Sequence, residues 1–344
     1  MFAGNSWPGL LADPQSGNER LRYCMDLSII CVNWNSEEYL RQCIASIYEN
    51  THGISFEIVV VDNASPAGKV ETLKEEFPEI RIVKSQMNIG FARANNLAFK
   101  HSTGRYILIL NPDTKLVGPA INILLSKIQS LPDAGIVGGK LVDPDLTVQT
   151  TSIQKFPTIL NQLADIEMLR LRWPHSPLWE IAPLFTPQEK PVKVDVIPGA
   201  CMLMRRDLFE RVGMFTEDYF MYGEDIDLNQ KVARCGLSNY YVSDATIVHY
   251  GGTSSKQQSA SQWSTVMKYR AMRKYYVRNH SYVYALAYQG AMGCAALARV
   301  ALIIALWPFG ALLGKLRGLR AAGAKWMTVL KWALGLDKAM LRER

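Results

Sequence analysis

Two adjacent acids, Glu224 and Asp225, follow a glycine in Phe220-Met221-Tyr222-Gly223-Glu224-Asp225-Ile226-Asp227 and open a helix-patterned stretch. Neighbouring carboxylates resist desolvation, so a chain that sets them at a turn has a use for ionised carboxylate there. One use is general-base work on a hydroxyl; the other is a first-turn acidic cap that favours the helix dipole. Three upstream segments end apolar runs in polar residues, at Asp62, Asn88 and Asp113. Asp62 closes Ile58-Val59-Val60-Val61-Asp62 and is either a cap for the next helix or a ligand contact. Asn111-Pro112-Asp113 is either turn chemistry or, through Asp113, a hard oxygen ligand for a divalent cation on a diphosphate. His249 ends a later strand-like run. A rival acid pair, Asp143 and Asp145, lies between Leu141-Val142 and an alternating stretch at 147–153, a pattern that predicts a hairpin turn.

These residues need elements to carry them. β-branched runs predict strands at 27–32, 56–61, 80–84 and 106–110. Between them, Leu40, Cys43, Ile44 and Ile47 recur at helical spacing, 69–77 is helical, and 92–101 forms a further helix. Asn35 with Glu38 has the form of a capping box for the first helix. The alternation predicts an α/β fold with a mainly parallel central sheet and helices on both faces. Ligands of such sheets collect at the carboxyl ends of strands, where Asp62 and Asp113 lie. From 135 to 197 the pattern changes to short strands, a helix at 158–169 and a Pro/Trp-rich loop at 173–191. A strand at 200–205, a short helix capped by Asp207, a helix at 225–235 and strands at 240–242 and 245–250 complete the body. Residues 1–25 read as an irregular lead.

The 344 residues can bury a large core, and the apolar share of 49% with 20% charge is globular. The net charge of +7 is uneven: 266–344 holds 14 Lys/Arg against 2 Asp/Glu, so +12 sits there and −5 on the first 265 residues. A basic tail on an acidic body suits an anionic surface. No interleaved aromatic and basic motif for nucleic acid appears, so the expected partner is lipid. Between 282 and 314 the only charge is Arg299. That length could span a bilayer, yet Arg near its middle costs roughly 2.5–3.5 kcal/mol on insertion scales and both flanks are basic. The expectation is therefore a broken helical pair, bent near Trp307-Pro308, lying in or dipping into the inner leaflet. Leu316, Leu319, Trp326 and Leu330 among Lys/Arg suit an interfacial helix behind it. A buried hairpin or a homo-oligomer interface is the alternative. The six scattered cysteines read as reduced residues, and the first 25 residues show no secretory leader pattern, which predicts a cytoplasmic location.

Order and spacing of the motifs across 27–252 resemble an inverting family 2 glycosyltransferase, most like its rhamnosyltransferase-like branch. The resemblance rests on Ser28-Ile29-Ile30-Cys31-Val32-Asn33-Trp34-Asn35, Val61-Asp62-Asn63-Ala64-Ser65 and Asn88-Ile89-Gly90-Phe91-Ala92-Arg93-Ala94-Asn95-Asn96. It continues through Leu110-Asn111-Pro112-Asp113, Pro198-Gly199-Ala200, Gly223-Glu224-Asp225 and His249-Tyr250-Gly251-Gly252. It implies a GT-A-type nucleotide-binding fold over 26–255, divided into a nucleotide part (26–115) and an acceptor and catalytic part (135–255), with a membrane-associating region at 256–344. Asp225 matches the family's catalytic base, with Glu224 orienting acceptor hydroxyls. Asn33, Asp62, Asn88, Gly90, Asn95, Asn111 and Gly199 are the implied donor-binding residues. Asp113 and His249 would ligate Mn2+ or Mg2+ on the diphosphate. The family's metal motif is Asp-x-Asp; Asn111 in the first position departs from it and implies weaker metal affinity.

The implied substrates are a nucleotide sugar, dTDP-rhamnose by resemblance, and a membrane-held glycan acceptor of cell-envelope polysaccharide synthesis. Processive family members carry Gln-x-x-Arg-Trp after the base; Gln258-Ser259-Ala260-Ser261-Gln262-Trp263 does not match it, so one or a few sugars are expected to be added. A sugar-nucleotide nucleotidyltransferase would need a glycine-rich loop after the first strand, and Val32–Ser36 has no glycine. A non-catalytic nucleotide-binding scaffold of the same fold is the other rival.

Overall fold

The β-branched runs become strands, and the helices between them cover the two sheet faces. In the computed structural model, residues 23, 25–66, 69–164, 167–186, 188–251, 262–312 and 316–337 are described. The first half reads β1 (Met25–Asn33), α1 (Glu37–Asn50), β2 (Phe56–Asp62), α2 (Leu73–Glu76), β3 (Arg81–Lys84), α3 (Phe91–Lys100), β4 (Gly104–Leu110), β5 (Thr114–Val117) and α4 (Ala120–Ser130). There follow β6 (Ala134–Val142), α5 (Ile159–Leu163), α6 (Glu167–Arg172), β7 (Val192–Val194), β8 (Cys201–Arg205), α7 (Arg206–Arg211), α8 (Glu224–Arg234) and β9 (Ser238–His249). Three helices close the chain: α9 (Gln262–Asn279), α10 (Tyr282–Leu312) and α11 (Leu316–Ala333).

Among the described residues the strands form one sheet in the order β3-β2-β1-β4-β8-β6-β9-β5, with β7 beside β9. The β3-β2-β1-β4 half is parallel, as the alternation predicts. The second half is mixed: β8 runs antiparallel to β4 and β6, β6 runs parallel to β9, and β5 and β7 pair antiparallel with β9. Two apolar layers flank the sheet. One carries Leu40, Ile44, Ile47, Leu73, Leu124 and Ile128 from α1, α2 and α4. The other carries Ala94, Ala98, Leu208, Phe209, Leu228 and Val232 from α3, α7 and α8. Burying both faces explains why strands such as Ile58–Val61 are continuously apolar rather than alternating.

Several local expectations are corrected. Asn35 does not cap α1: it sits at φ +53°, and the helix starts at Glu37 after Ser36, which is held through its N–H and hydroxyl by the Asn33 carbonyl oxygen Oδ1. Glu38 pairs with Arg41 instead. The helix expected over 158–169 is two pieces, α5 and α6, with the capping box at Thr158 and Asn161. Asp207 lies inside α7 and pairs with Arg205 and Arg211. The strands expected at 240–242 and 245–250 are one strand, β9, whose pairing slips between Gly139 and Lys140 of β6. The Asp143–Asp145 turn is present, closed by Asp143 N–H to the Thr147 carbonyl at 2.8 Å, but 147–153 contributes only a bridge from Val148 to Val142.

A third apolar cluster ties the C-terminal helices to the body. Val266, Tyr275, Tyr276, Tyr288, Met292, Val329 and Trp332 pack with Val196 and Ile226. Polar contacts reinforce it: Tyr275 donates to Gln230 at 2.9 Å, Asn279 to Asp227 at 2.9 Å and Arg278 to Asp218 at 3.0 Å. The break expected near Trp307-Pro308 is not seen; α10 runs through Pro308 for 31 residues. Tyr282–Pro308 is long and apolar enough to cross a membrane, and only 11% of its most apolar window is buried in the protein. Arg299 turns away from that exposed surface. Its guanidinium donates to the Leu163 carbonyl at 3.0 Å and lies 4.2 Å from the centre of the Trp326 ring. Cys31, Cys43 and Cys201 are buried thiols, and Cys24 lies outside the described residues.

Candidate active site

The polar ends of β1, β2 and β4 meet at one edge of the sheet because the three strands are parallel neighbours. Asn33 lies opposite Asp62 in register, and both are buried. Asn33 Nδ2 donates to Ser65 Oγ at 3.1 Å, to Glu37 Oε1 at 3.2 Å and to Asp62 Oδ1 at 3.4 Å. Asp62 also accepts from the Ser65 N–H at 3.3 Å, so it closes its own turn and joins the Asn33 network at once. Asn63 carries the network onward: its Nδ2 donates to Asn88 Oδ1 at 3.0 Å and its Oδ1 accepts the Ile89 N–H at 2.9 Å. Asn88 in turn accepts the Gly90 N–H at 3.0 Å.

Gly90 is fixed by geometry rather than by turn preference alone. Its φ is +82°, and a Cβ there would meet the Phe220 carbonyl oxygen at 2.3 Å. That carbonyl accepts the Phe91 N–H at 2.8 Å, which fastens the start of α3 to the loop leading into Glu224-Asp225. Asn96 repeats the fastening one turn on, through the Phe215 carbonyl (2.9 Å) and the Phe215 N–H (3.1 Å). Asn95 is buried in α3, with its Nδ2 donated to the Phe91 carbonyl at 2.9 Å and its Oδ1 lacking a hydrogen-bond partner.

At the end of β4, the Asn111 N–H donates to the Ala200 carbonyl at 3.0 Å, so Gly199-Ala200 sits directly beside Asn111. β5 then pairs with β9, with Thr114 opposite His249, and the Tyr250 N–H donates to the Asp113 carbonyl at 2.9 Å. His249 Nε2 ends 3.4 Å from Asp113 Oδ1 and 3.4 Å from Asn111 Nδ2. Its other nitrogen, Nδ1, lies 3.0 Å from Gln149 Oε1. No group of three or more His, Cys, Asp or Glu gathers as a metal cluster among the described residues. Asp113 and His249 form a two-residue donor set, one hard oxygen and one imidazole, which suits a cation whose remaining positions are filled by phosphate oxygens and water.

Glu224 and Asp225 begin α8, behind Tyr222 at φ +69° and Gly223 at φ +80°. The two acids part company there. Asp225 is half-buried; its Oδ2 accepts the Gly199 N–H at 3.0 Å and its Oδ1 accepts the Ile226 N–H at 2.8 Å. Glu224 is 6% exposed and its Oε2 has no hydrogen-bond partner. Burial, with the Asp225 charge next to it, pushes the Glu224 carboxyl up to about 8. Burial also raises Asp225, while the N–H groups of Gly199 and Ile226 favour its charged form. Burial thus favours a proton on Glu224, while the two N–H donors favour the carboxylate form of Asp225. The loop in front is braced by α9: Phe220 packs edge-on against Trp263, and Lys268 lies 5.0 Å from the Tyr222 ring centre.

Hydrogen bonds thus link the expected residues into one edge: Asp62 and Asn88 through Asn63 to Gly90, Gly90 through Phe220 towards α8, and Asp225 through Gly199-Ala200 to Asn111, His249 and Asp113. The sequence reading missed Gln149 and the Asn63 hub. Asn63 stood inside a quoted motif, whereas Gln149 lies in the stretch read only as an alternating run. Gly252 and Gln258 lie outside the described residues.

Comparison with known proteins identifies the family. Residues 28–213 match glycosyl transferase family 2, and the chain belongs to that family and is a glycosyltransferase. It is 28% identical over 249 residues to the N-acetylglucosaminyl-diphospho-decaprenol L-rhamnosyltransferase of Mycobacterium tuberculosis, covering 68% of this chain and 79% of that protein. It is 24% identical over 264 residues to the rhamnosyltransferase WbbL of Escherichia coli, covering 74% and 96%. The mannosyltransferase PcManGT of Pyrobaculum calidifontis, solved with GDP-Man and Mn2+, shares the fold at a TM-score of 0.56 and 18% identity over 99% of this chain and 92% of that one. The fold is GT-A-like, and α10 is a candidate membrane segment.

Proposed function

We propose that this glycosyltransferase moves rhamnose from dTDP-rhamnose, with inversion, to a hydroxyl of a lipid-linked glycan at the cytoplasmic face of the membrane. The observation that carries the reading is the Asp225 carboxylate held on the Gly199 N–H, one residue from the Ala200 carbonyl that anchors Asn111. A base, a donor-phosphate edge and a cleft wall then share a few residues of backbone. The acceptor hydroxyl loses its proton to Asp225 as its oxygen bonds to the anomeric carbon from one side. The bond from that carbon to the donor phosphate breaks on the other side, and the nucleoside diphosphate leaves with the bonding electrons. Glu224, kept neutral by burial, adds no second charge to repel the base's electron density. A divalent cation held by Asp113 and His249 would act as Lewis acid towards the departing diphosphate. Asn33, Asp62, Asn63 and Asn88 form the polar wall for the nucleoside.

The lipid-linked acceptor is supported by the tuberculosis relative, whose name specifies a decaprenol-linked substrate, and by the surface of α10. Leu297, Leu302, Ile304 and Leu306 are exposed on it, while Arg299, the residue that would oppose immersion, is engaged with Leu163 and Trp326. The basic α11 behind it suits anionic head groups, peripherally or partly inserted. The test is transfer from a panel of dTDP- and UDP-sugars to a polyprenyl-diphosphate saccharide, with and without Mn2+, reading the anomeric configuration by NMR. Inverted product from dTDP-rhamnose with Mn2+ stimulation is expected; a product retaining the donor's configuration contradicts the mechanism.

A further inference from the structure

Gln149 makes three side-chain contacts that fix which way round its amide lies. Its Nε2 donates to Asp143 Oδ1 at 2.8 Å and to the His249 carbonyl at 2.7 Å. Reversing the amide would set its oxygen against a carboxylate and a carbonyl, three acceptors with no proton among them. The Oε1 is therefore the atom facing His249 Nδ1 at 3.0 Å, and only a protonated Nδ1 can satisfy that contact. The backbone leaves little freedom to escape it: the Gln149 N–H donates to the Leu141 carbonyl at 3.0 Å, and Ser152 returns its hydroxyl to the Gln149 carbonyl at 2.7 Å.

A neutral imidazole protonated on Nδ1 presents a lone pair at Nε2. That lone pair faces Asp113 Oδ1 at 3.4 Å, an acceptor opposite an acceptor, with the Asn111 amide donor at 3.4 Å beside it. We propose that Gln149 is a positioning residue that locks His249 in its Nδ1–H tautomer, so that Nε2 and Asp113 together present electron pairs to a divalent cation. Asp143, first met as half of a turn, orients the lock through the Gln149 amide. The inference rests on the cation reading of Asp113 and His249 given above. It adds what that reading lacks, a reason for the imidazole to be ready before the cation arrives. Fixing a ligand's tautomer through the nitrogen that does not bind is how outer partners tune metal sites, typically at 10–100-fold in affinity.

The test uses the full-length protein. First, 15N-labelled histidine in metal-free protein at about pH 8 reports the tautomer of His249, with His249→Ala supplying the assignment. Wild type is expected in the Nδ1–H form, and Gln149→Met, close in shape but unable to accept, is expected to lose that preference. Second, Mn2+ affinity is read by electron paramagnetic resonance with Mn2+ alone and with dTDP present. Gln149→Met should weaken it by roughly 10–100-fold. An unchanged tautomer in Gln149→Met overturns the inference, as does a Met variant that binds Mn2+ like wild type. Wild type that binds no Mn2+ with dTDP overturns the cation reading itself, while the tautomer measurement still decides whether Gln149 holds His249.

Discussion

The two sides of this edge, the proposed nucleoside wall and the proposed transfer wall, are built on opposite principles. On the donor side, Asn33, Asp62, Asn63 and Asn88 satisfy one another: each takes part in the network that runs from Ser65 to the Gly90 N–H. On the transfer side, capacity is left unspent. Glu224 Oε2 has no hydrogen-bond partner, and two carboxyls are raised by burial. A self-satisfied wall is rigid before any ligand comes and can present the same face to every nucleotide. An under-satisfied wall is costly until something fills it, and that cost is where charge development can be answered. The difference says which changes should damage folding and which should damage chemistry.

The largest effect is expected on the transfer side. Replacing Asp113 and His249 together with Ala should abolish Mn2+ stimulation and lower transfer by roughly 10^3-fold, the scale of several kcal/mol of transition-state charge stabilisation, while the melting temperature holds. Assays across a Mn2+ titration check it. On the seam between the walls, Gly90→Ala meets a +82° φ and the Phe220 carbonyl at 2.3 Å, so a loss of roughly 1–3 kcal/mol of stability is expected, together with slower transfer as the 220 loop shifts. Denaturant unfolding beside kinetics separates the two. On the donor wall, Asn63→Ala should cost about 1–3 kcal/mol in stability by orphaning its half-buried partners Asn88 and the Ile89 N–H, and weaken nucleotide binding without changing the Mn2+ dependence. The smallest effect is a pH dependence. Glu224 binds its proton more tightly folded, at about 8 against an ordinary 4.5, so its protonated form supports the fold below pH 4.5 and that support drains away as pH rises through 8. Glu224→Gln should flatten the decline in unfolding free energy across that window; a slope identical to wild type would remove Glu224 as its source.

Much of the donor wall was legible in the sequence, because a buried parallel strand must be continuously apolar and must stop at its polar end. Asp62 and Asn111 mark those ends. The transfer side was legible only through its motifs, since His249 and Asp225 reach the edge by long-range pairing with β5 and with Gly199 that no local pattern encodes. β6 was hidden for a different reason. It fell within the 135–197 stretch read as short strands, and a Cβ at its Gly135, Gly138 or Gly139 would strike Val232, Ile197 or the Ala245 carbonyl within 2.3 Å. The glycines serve close packing, not a turn. Pro308 misled in the opposite sense, since an exposed helix tolerated it without breaking. Gln149 could not be read at all, because its meaning depends on a partner 100 residues away.

In the proposed reaction Asp225 supplies the base and nothing of the nucleotide site. Asp225→Asn keeps the volume and removes the proton acceptor, so its single-turnover rate is the most direct measurement, taken beside dTDP affinity in Mn2+. The account predicts transfer reduced by about 10^2–10^4-fold with dTDP affinity unchanged. Transfer at the wild-type rate, or parallel loss of transfer and dTDP binding, would contradict it.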